Sequence, residues 1–380
     1  MRTLRLLDPQ QKRVLVRVDY NVPIERGRVV DDNRISENLD TLRYLISHQA
    51  RVILCSHLGR PDGKQDPDPA LRLDPVVKRL RELMDSRGLD TPVRKSNEIV
   101  GPAVQQLVEA TGPGDILVLE NIRFDPREEQ NDPQFSEELA QLADAFVDDA
   151  FGAIHRAHAS TVGVTKHLPS YAGLLVEREV KHLEKLTRDP AHPFVMILGG
   201  AKPDDKLPLI LNLAAKVDFF LLGGGVANTL LQVKGTNIKR TLVGDDKSLA
   251  VGRKLLSAFG KKILLPEDFI WEGDSIMDIG PVTRQVFENH ITHAKTIFWN
   301  GNLGKSEEHR FAQGTRAVAK AIAASRTFSV IGGGDTVAAI DQYRLRKHIS
   351  FVSTGGGATL EFLAGKSLPG LEVLGYDRND

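Results

Sequence analysis

The sequence predicts an α/β chain of two lobes, each a parallel, doubly wound sheet, joined by a helix and leaving a cleft between them. Three observations carry that expectation. Short apolar, β-branched runs alternate with amphipathic stretches along the whole chain, the signature of βαβ units. Four of those runs end in glycine clusters, at Gly199–Gly200, Gly223–Gly225, Gly332–Gly334 and Gly355–Gly357. Such turns suit parallel strands whose carboxyl ends face one ligand. The length of 380 residues fits two domains.

In the first half the expected strands are Val14–Val18, Val52–Cys55, Ile116–Leu119 and Ala145–Val147. Helical patterns fall at Ser36–Ser47, Pro75–Ser86 and Gln134–Leu142, with Asp74 reading as an N-cap ahead of Pro75. A charged stretch over 171–189 carries Leu175, Val180, Leu183 and Leu186 on one edge and is stopped by Pro190 and Pro193. It reads as an interdomain helix. The second half repeats the alternation: strands at Phe194–Leu198, Phe219–Leu222, Lys262–Leu265, Thr296–Trp299, Thr327–Ile331 and Ser350–Ser353. Helices fit Val226–Val233, Lys247–Phe259, Thr283–His290 and Gly314–Ala324. The expected division is therefore 1–170, 171–189, 190–364 and a C-terminal segment, 365–380, returning toward the first lobe.

Composition excludes several classes. With 41% hydrophobic residues the chain builds real cores, and with 50 basic against 50 acidic residues no bulk charge draws it to nucleic acid. A single cysteine, Cys55, rules out an intramolecular disulfide and a thiolate zinc cage. The start lacks a secretory pattern and no apolar run approaches the ~20 residues of a membrane span, so a soluble cytoplasmic protein is expected. Within the first 170 residues arginine outnumbers lysine, 18 to 5. Guanidinium forks bind carboxylate and phosphate bidentately. Most of these are ordinary surface residues; those at strand ends stand out.

Familiar nucleotide motifs are missing. Gly304-Lys305-Ser306 resembles the end of a P-loop, but Trp299 stands where its first glycine belongs. The three triple-glycine runs put Asn228, Val337 and Leu360 where a dinucleotide fingerprint needs its last glycine. This argues against an NAD-dependent dehydrogenase. His155 and His158 lie three apart in HRAH without a carboxylate partner in register, which favours packing or a substrate hydrogen bond over a metal.

What remains suits phosphate. Asp19-Tyr20-Asn21 follows the first strand and Arg34 lies a short loop later; His57 and Arg60 follow the second strand, Arg123 the third and Arg156 the fourth. Four sets at matching topological positions converge on one sheet edge. In the second half Lys202 and Lys206 follow Gly199–Gly200, whose N–H groups could approach a phosphate. A helix starting near Asp204 would put both lysines on one face. Asp335 follows Gly332–Gly334 and is either a Mg²⁺ ligand or a helix N-cap.

Taken together, RVLVRVDYNVP, SHLGRP, LENIRF, DAFGAIHRAHAS, LGGAKPDDK, DIGP, WNGNLG, GGGDTVAAI and STGGGATLEFLAGKSLPGLEVL resemble the phosphoglycerate kinase family, in the family's order from Arg13 to Leu374. The resemblance implies two Rossmann-like lobes and reversible, in-line phosphoryl transfer from 1,3-bisphosphoglycerate to Mg-ADP after hinge closure. The products are 3-phosphoglycerate and ATP. It implies that Asp19, Tyr20, Asn21, Arg34, His57, Leu58, Gly59, Arg60, Arg123 and Arg156 hold the phosphoglycerate. By the same resemblance Arg34 and Lys202 are catalytic, and Lys206, Glu307, Gly333, Gly334, Asp335 and Thr336 bind the nucleotide, with Asp335 on Mg²⁺. Gly355, Gly356 and Gly357 would offer N–H groups to the transferring phosphoryl. A monomer without nucleic-acid or membrane partners is expected. The competing readings are a non-catalytic nucleotide-binding relative and a kinase of another carboxylate. The chain departs from the family's pattern at Pro203-Asp204, Asn228, Asn302 and Lys305-Ser306, and is short over Asp268–Asp278, all on the nucleotide side.

Overall fold

The computed structural model describes residues 1–61 and 68–378. Residues 62–67 of the expected first lobe and the last two of the expected 365–380 segment thus lie outside the described residues. The chain divides into two compact units, one formed by Met1–Glu179 with the segment from Ser367, the other by Val180–Lys366.

The first unit contains the strands β1 (Arg13–Arg17), a small antiparallel pair β2 (Ile24–Glu25) and β3 (Arg28–Val29), then β4 (Arg51–Cys55), β5 (Val93–Lys95), β6 (Ile116–Val118), β7 (Ala145–Asp148) and β8 (Ser170–Ala172). Six of these form a parallel sheet in the order β5-β6-β4-β1-β7-β8. Its central strands are buried on both faces, as a parallel sheet covered by helices requires. The layers come from α1 (Asn33–Glu37), α2 (Leu39–Ser47), α3 (Asp74–Ser86), α4 (Pro102–Glu109) and α5 (Pro133–Ala140). Helix α5 starts as chemistry dictates: Pro133 sits in the first turn and Asp132 accepts from the Phe135 N–H at 2.8 Å.

Helix α6 (Leu174–Thr187) crosses from one unit to the other. It is shorter than the expected 171–189. Tyr171 belongs to β8, paired with Val147, and the helix begins only after Gly173 because Asp149 accepts from the N–H groups of Leu175 at 2.8 Å and Val176 at 3.3 Å.

The second unit repeats the plan with β9 (Phe194–Leu198), β10 (Phe219–Leu222), β11 (Ile263–Leu264), the antiparallel pair β12 (Phe269–Glu272) and β13 (Ser275–Ile279), and β14 (Thr296–Asn300), β15 (Phe328–Gly332) and β16 (Phe351–Ser353). The parallel sheet runs β11-β10-β9-β14-β15-β16, so strand order reverses between β9 and β14. Its helices are α7 (Leu207–Leu213), α8 (Gly224–Val233), α9 (Asp246–Phe259), α10 (Pro281–His293), α11 (Gln313–Ser325), α12 (Gly334–Gln342) and α13 (Gly357–Leu363). The chain ends with α14 (Pro369–Val373), whose following Leu374 carbonyl accepts from Arg2 N–H at 2.8 Å, within the first unit.

Three local expectations change. The helix expected over Ser36–Ser47 is two helices broken at Asn38, whose amide accepts from Tyr20 OH at 2.9 Å and donates to Asp149. Asp74 is the first helical residue of α3 rather than its cap; its carboxylate lies 3.3 Å from Lys95 Nζ. No helix starts near Asp204. A turn in which the Lys206 and Leu207 N–H groups both bond to the Pro203 carbonyl delays α7 to Leu207. Lys202 and Lys206 therefore do not share a helix face.

Candidate functional site

At the carboxyl ends of β6, β4, β1 and β7, four adjacent strands, the first unit gathers the residues singled out in the sequence. Asp19 and Asn21 leave β1. Arg34, on α1, donates to Asp19 Oδ2 at 2.8 Å and to the Asn21 carbonyl at 3.2 Å. Asn21 Oδ1 accepts from Gly59 N–H at 2.9 Å, and the Gly59 carbonyl accepts from Arg123 at 2.9 Å. Gly59 can do both because its φ of +64° is open to glycine, and a Cβ there would press on Leu71. Leu58 is buried, with its N–H and carbonyl both bonded to the Asn121 amide at 3.2 and 2.8 Å, so it shapes the loop. Tyr20 is also wholly buried and its hydroxyl is spent on Asn38; its side chain supports the loop and cannot touch a ligand.

Arg60, Arg123 and Arg156 line one cavity of about 370 Å³ with Pro61 and Glu129. Arg123 is pinned by its bond to Gly59 and lies 3.1 Å from Glu129, and burial pushes its pKa down. Three guanidinium groups around one space attract a dense anion.

His57 sits beside them, 5% exposed. Burial first, and then the positive charges of Arg17, Arg123, Arg34 and Arg156, hold its pKa well below the usual 6.5. Arg17 donates to His57 Nδ1 at 3.1 Å, which leaves the proton of the neutral ring on Nε2 as a donor. Arg17 itself escaped sequence reading, because within RVLVR it scans as an ordinary strand residue. Its side chain is nonetheless buried and bonded to Ser160, which in turn donates to Glu128 at 2.6 Å. The signal available was a charged residue inside an otherwise apolar strand.

Asp148, at the end of β7, is fully buried with one oxygen on the Ala150 N–H at 3.0 Å and the other without a partner among the described residues. Burial raises its pKa to about 7, partly offset by the Ala150 N–H and Arg17. The folded chain then keeps this proton up to about pH 7, while the unfolded chain loses it near pH 4. Between those values the folded state binds more protons, so this group's contribution falls as pH rises. Asp148→Asn, which mimics the protonated acid, is expected to raise the melting temperature more at pH 8 than at pH 5. At about 1.4 kcal/mol per pH unit the difference reaches a few kcal/mol. Equal shifts at both pH values in thermal melts would refute it.

In the second unit the loops after β9 and β14 meet where strand order reverses. The N–H groups of Gly199 and Gly200 bond to the carbonyls of Asn300 and Asn302 at 3.0 and 2.7 Å. These N–H groups are occupied and do not face a phosphate, contrary to the sequence expectation. The glycines are needed because a Cβ on Gly199 would strike the Asn302 carbonyl. Lys206 is buried at the start of α7, and its amine would lie 3.6 Å from a Cβ placed on Gly200. Burial lowers its pKa, opposed by Asp205 and Asp335 and helped by Lys202. Lys202 is exposed.

A cavity of about 460 Å³ opens here, its wall including Gly200, Asn228, Leu242, Asn302, Glu307 and Asp335. Gly333 and Gly334 open α12, and Asp335 is exposed in its first turn. Thr336 is buried, its hydroxyl accepting from Gly301 N–H at 2.7 Å, so it locks the β14 loop. Gly355 N–H bonds to Ser353 Oγ at 3.2 Å; Gly356 and Gly357 stand at the start of α13. Among the described residues no three His, Cys, Asp or Glu cluster as a metal cage, and no helix is long and apolar enough to cross a membrane.

The family model described as phosphoglycerate kinase matches residues 4–366. The chain belongs to the phosphoglycerate kinase family. A phosphoglycerate kinase of Thermomicrobium roseum is 46% identical over 98% of this chain and 99% of its own length. One from Moorella thermoacetica is 46% identical over 98% of each. Among solved structures, phosphoglycerate kinase from Coxiella burnetii superposes with a TM-score of 0.83 at 36% identity, covering 98% of both chains. The Pyrococcus horikoshii phosphoglycerate kinase gives 0.86 at 31%, covering 99% of this chain and 98% of that one. Family membership brings with it the two α/β sheets described above and a kinase that transfers phosphate to a carboxyl group.

Proposed function

We propose that the chain catalyses reversible phosphoryl transfer from 1,3-bisphosphoglycerate to ADP, giving 3-phosphoglycerate and ATP, with the acceptor held by the first unit and the nucleotide by the second. The observation that carries this reading is the convergence of Arg34, His57, Arg60, Arg123 and Arg156 at the ends of four adjacent strands, with three guanidinium groups around one cavity. That cavity suits the phosphate of the glycerate; Asp19, Asn21 and the His57 Nε2–H suit its hydroxyl and carboxylate. Arg34 is the group we assign to the carboxyl that receives the phosphoryl.

On the second unit Lys206, Glu307, Gly333, Gly334 and the Asp335 segment surround the nucleotide, with Thr336 shaping its loop. Lys202 steadies the phosphoryl group in flight, with the Gly356 and Gly357 N–H groups nearby. Asp335 fits Mg²⁺: an exposed carboxylate in the cavity wall, with no side-chain partner among the described residues, suffices for an ion that takes its other ligands from phosphate and water. Bound there, Mg²⁺ would neutralise charge on the phosphate chain.

No protein group needs to act as a base. The acceptor is a carboxylate, ionised at neutral pH, and His57 stays neutral as a hydrogen-bond donor. The residues bind, orient and neutralise, which is most of what phosphoryl transfer asks of a protein. Because the two ligands bind separate units, transfer requires a closing motion about α6 that also expels water. Small-angle scattering is expected to show compaction with both ligands bound; an unchanged radius of gyration would count against closure. The reaction itself is tested by coupling ADP formation from 3-phosphoglycerate and ATP to a reporter, with and without Mg²⁺. Mg²⁺-dependent turnover is expected, and no turnover would overturn the assignment.

A further inference from the structure

The cavity of the second unit has two chemically distinct ends. Asn302 marks one: its amide nitrogen donates to Ser306 Oγ at 2.5 Å and to the Asp335 carbonyl at 3.4 Å. This is the end of Asp335 and the phosphates. The other is an apolar slot of Leu242, Ile276 and Met277, with Leu242 66% exposed, a large apolar side chain left open to the cavity. A flat aromatic base fits such a slot.

Asn228, on α8, belongs to the apolar end. It is only 6% exposed, and its amide nitrogen donates to the Leu242 carbonyl at 3.3 Å. A carbonyl can only accept, so this bond fixes which way the amide faces and turns Oδ1 away from Leu242. Among the described residues Oδ1 has no hydrogen-bond partner. The neighbouring polar group is already occupied: the Thr241 hydroxyl donates to the Ile238 carbonyl at 2.6 Å and accepts from Ile276 N–H at 3.0 Å. Asn228 Oδ1 is therefore an oriented, unused acceptor at the cavity wall.

We infer that Asn228 selects adenine, with Oδ1 accepting from the 6-amino group of the base. This rests on the nucleotide-site reading above and adds base choice to it. Adenine carries N–H donors at that position, whereas guanine carries a carbonyl oxygen that would meet Oδ1 lone pair to lone pair. An unused acceptor that a bound base would cover rejects a partner that cannot donate to it more strongly than one that merely fits poorly.

The test compares ATP, GTP and purine riboside triphosphate, which lacks any 6-substituent, as phosphoryl donors to 3-phosphoglycerate. For the unmodified protein kcat/KM is expected to be about tenfold higher with ATP than with purine riboside triphosphate, the worth of one hydrogen bond, and lower still with GTP. Asn228→Leu should bring the ATP-to-purine-riboside ratio to about one while the KM for 3-phosphoglycerate holds, which also reports that the variant is folded. Equal use of ATP and purine riboside triphosphate by the unmodified protein, equal use of ATP and GTP, or an unchanged ratio in the variant would each refute the role of Asn228. The first two comparisons need no variant. Failure to turn over 3-phosphoglycerate with any donor would instead strike the kinase assignment.

Discussion

Lys202→Ala is expected to lower turnover by roughly 10²–10³ while leaving ADP affinity close to normal, the effect of losing one donor aimed at charge that develops in the transition state. Lys202 is exposed in the loop after β9 and, among the described residues, forms no ion pair or side-chain hydrogen bond. Its removal should therefore not disturb the fold. Lys206, by contrast, is buried beside Gly200, and its proposed role is on the nucleotide phosphates. Single-turnover measurement separates the two roles: Lys202→Ala slows the chemical step itself. A near-normal rate in that variant would remove Lys202 from the transfer step.

Arg34→Ala is expected to cut turnover by a similar roughly 10²–10³ and to raise the KM for 3-phosphoglycerate as well. Two effects combine. The positive charge proposed to meet the acceptor carboxyl is lost, and Asp19, 8% exposed and bonded to Arg34 at 2.8 Å, loses its guanidinium partner. Arg34→Lys should recover affinity more than turnover, because an ammonium restores charge without the planar fork. Steady-state kinetics on both variants decide it. Equal recovery of kcat and KM by lysine would show that geometry is irrelevant.

Much of this was legible in the sequence for simple reasons. Strands buried on both faces must be nearly continuous apolar runs, so β1, β4, β6, β7, β9, β14 and β15 could be found by eye. Positive residues following four of those runs could be assigned to one sheet edge because parallel strands all point the same way. Features set by tertiary partners were not visible. The break at Asn38 arises from Tyr20 and Asp149, far away in the chain. Strands β5 and β8, VRK and SYA, contain no apolar run to recognise. Glycine clusters show that backbone comes close to something, but not to what. At Gly199 and Gly200 it is the β14 loop, with the N–H groups already bonded. Thr336 and Tyr20 were similarly ambiguous, since a hydroxyl in a motif serves the loop as readily as the ligand.

Division of labour between the units is tested most directly by titration calorimetry of 3-phosphoglycerate and of ADP into Arg123→Ala and Lys206→Ala. Separate sites predict that Arg123→Ala loses about tenfold or more in 3-phosphoglycerate affinity and keeps ADP, and that Lys206→Ala does the reverse, each having lost charge-assisted hydrogen bonds to one ligand only. Comparable loss of both ligands in both variants would contradict the placement of acceptor and nucleotide on different units.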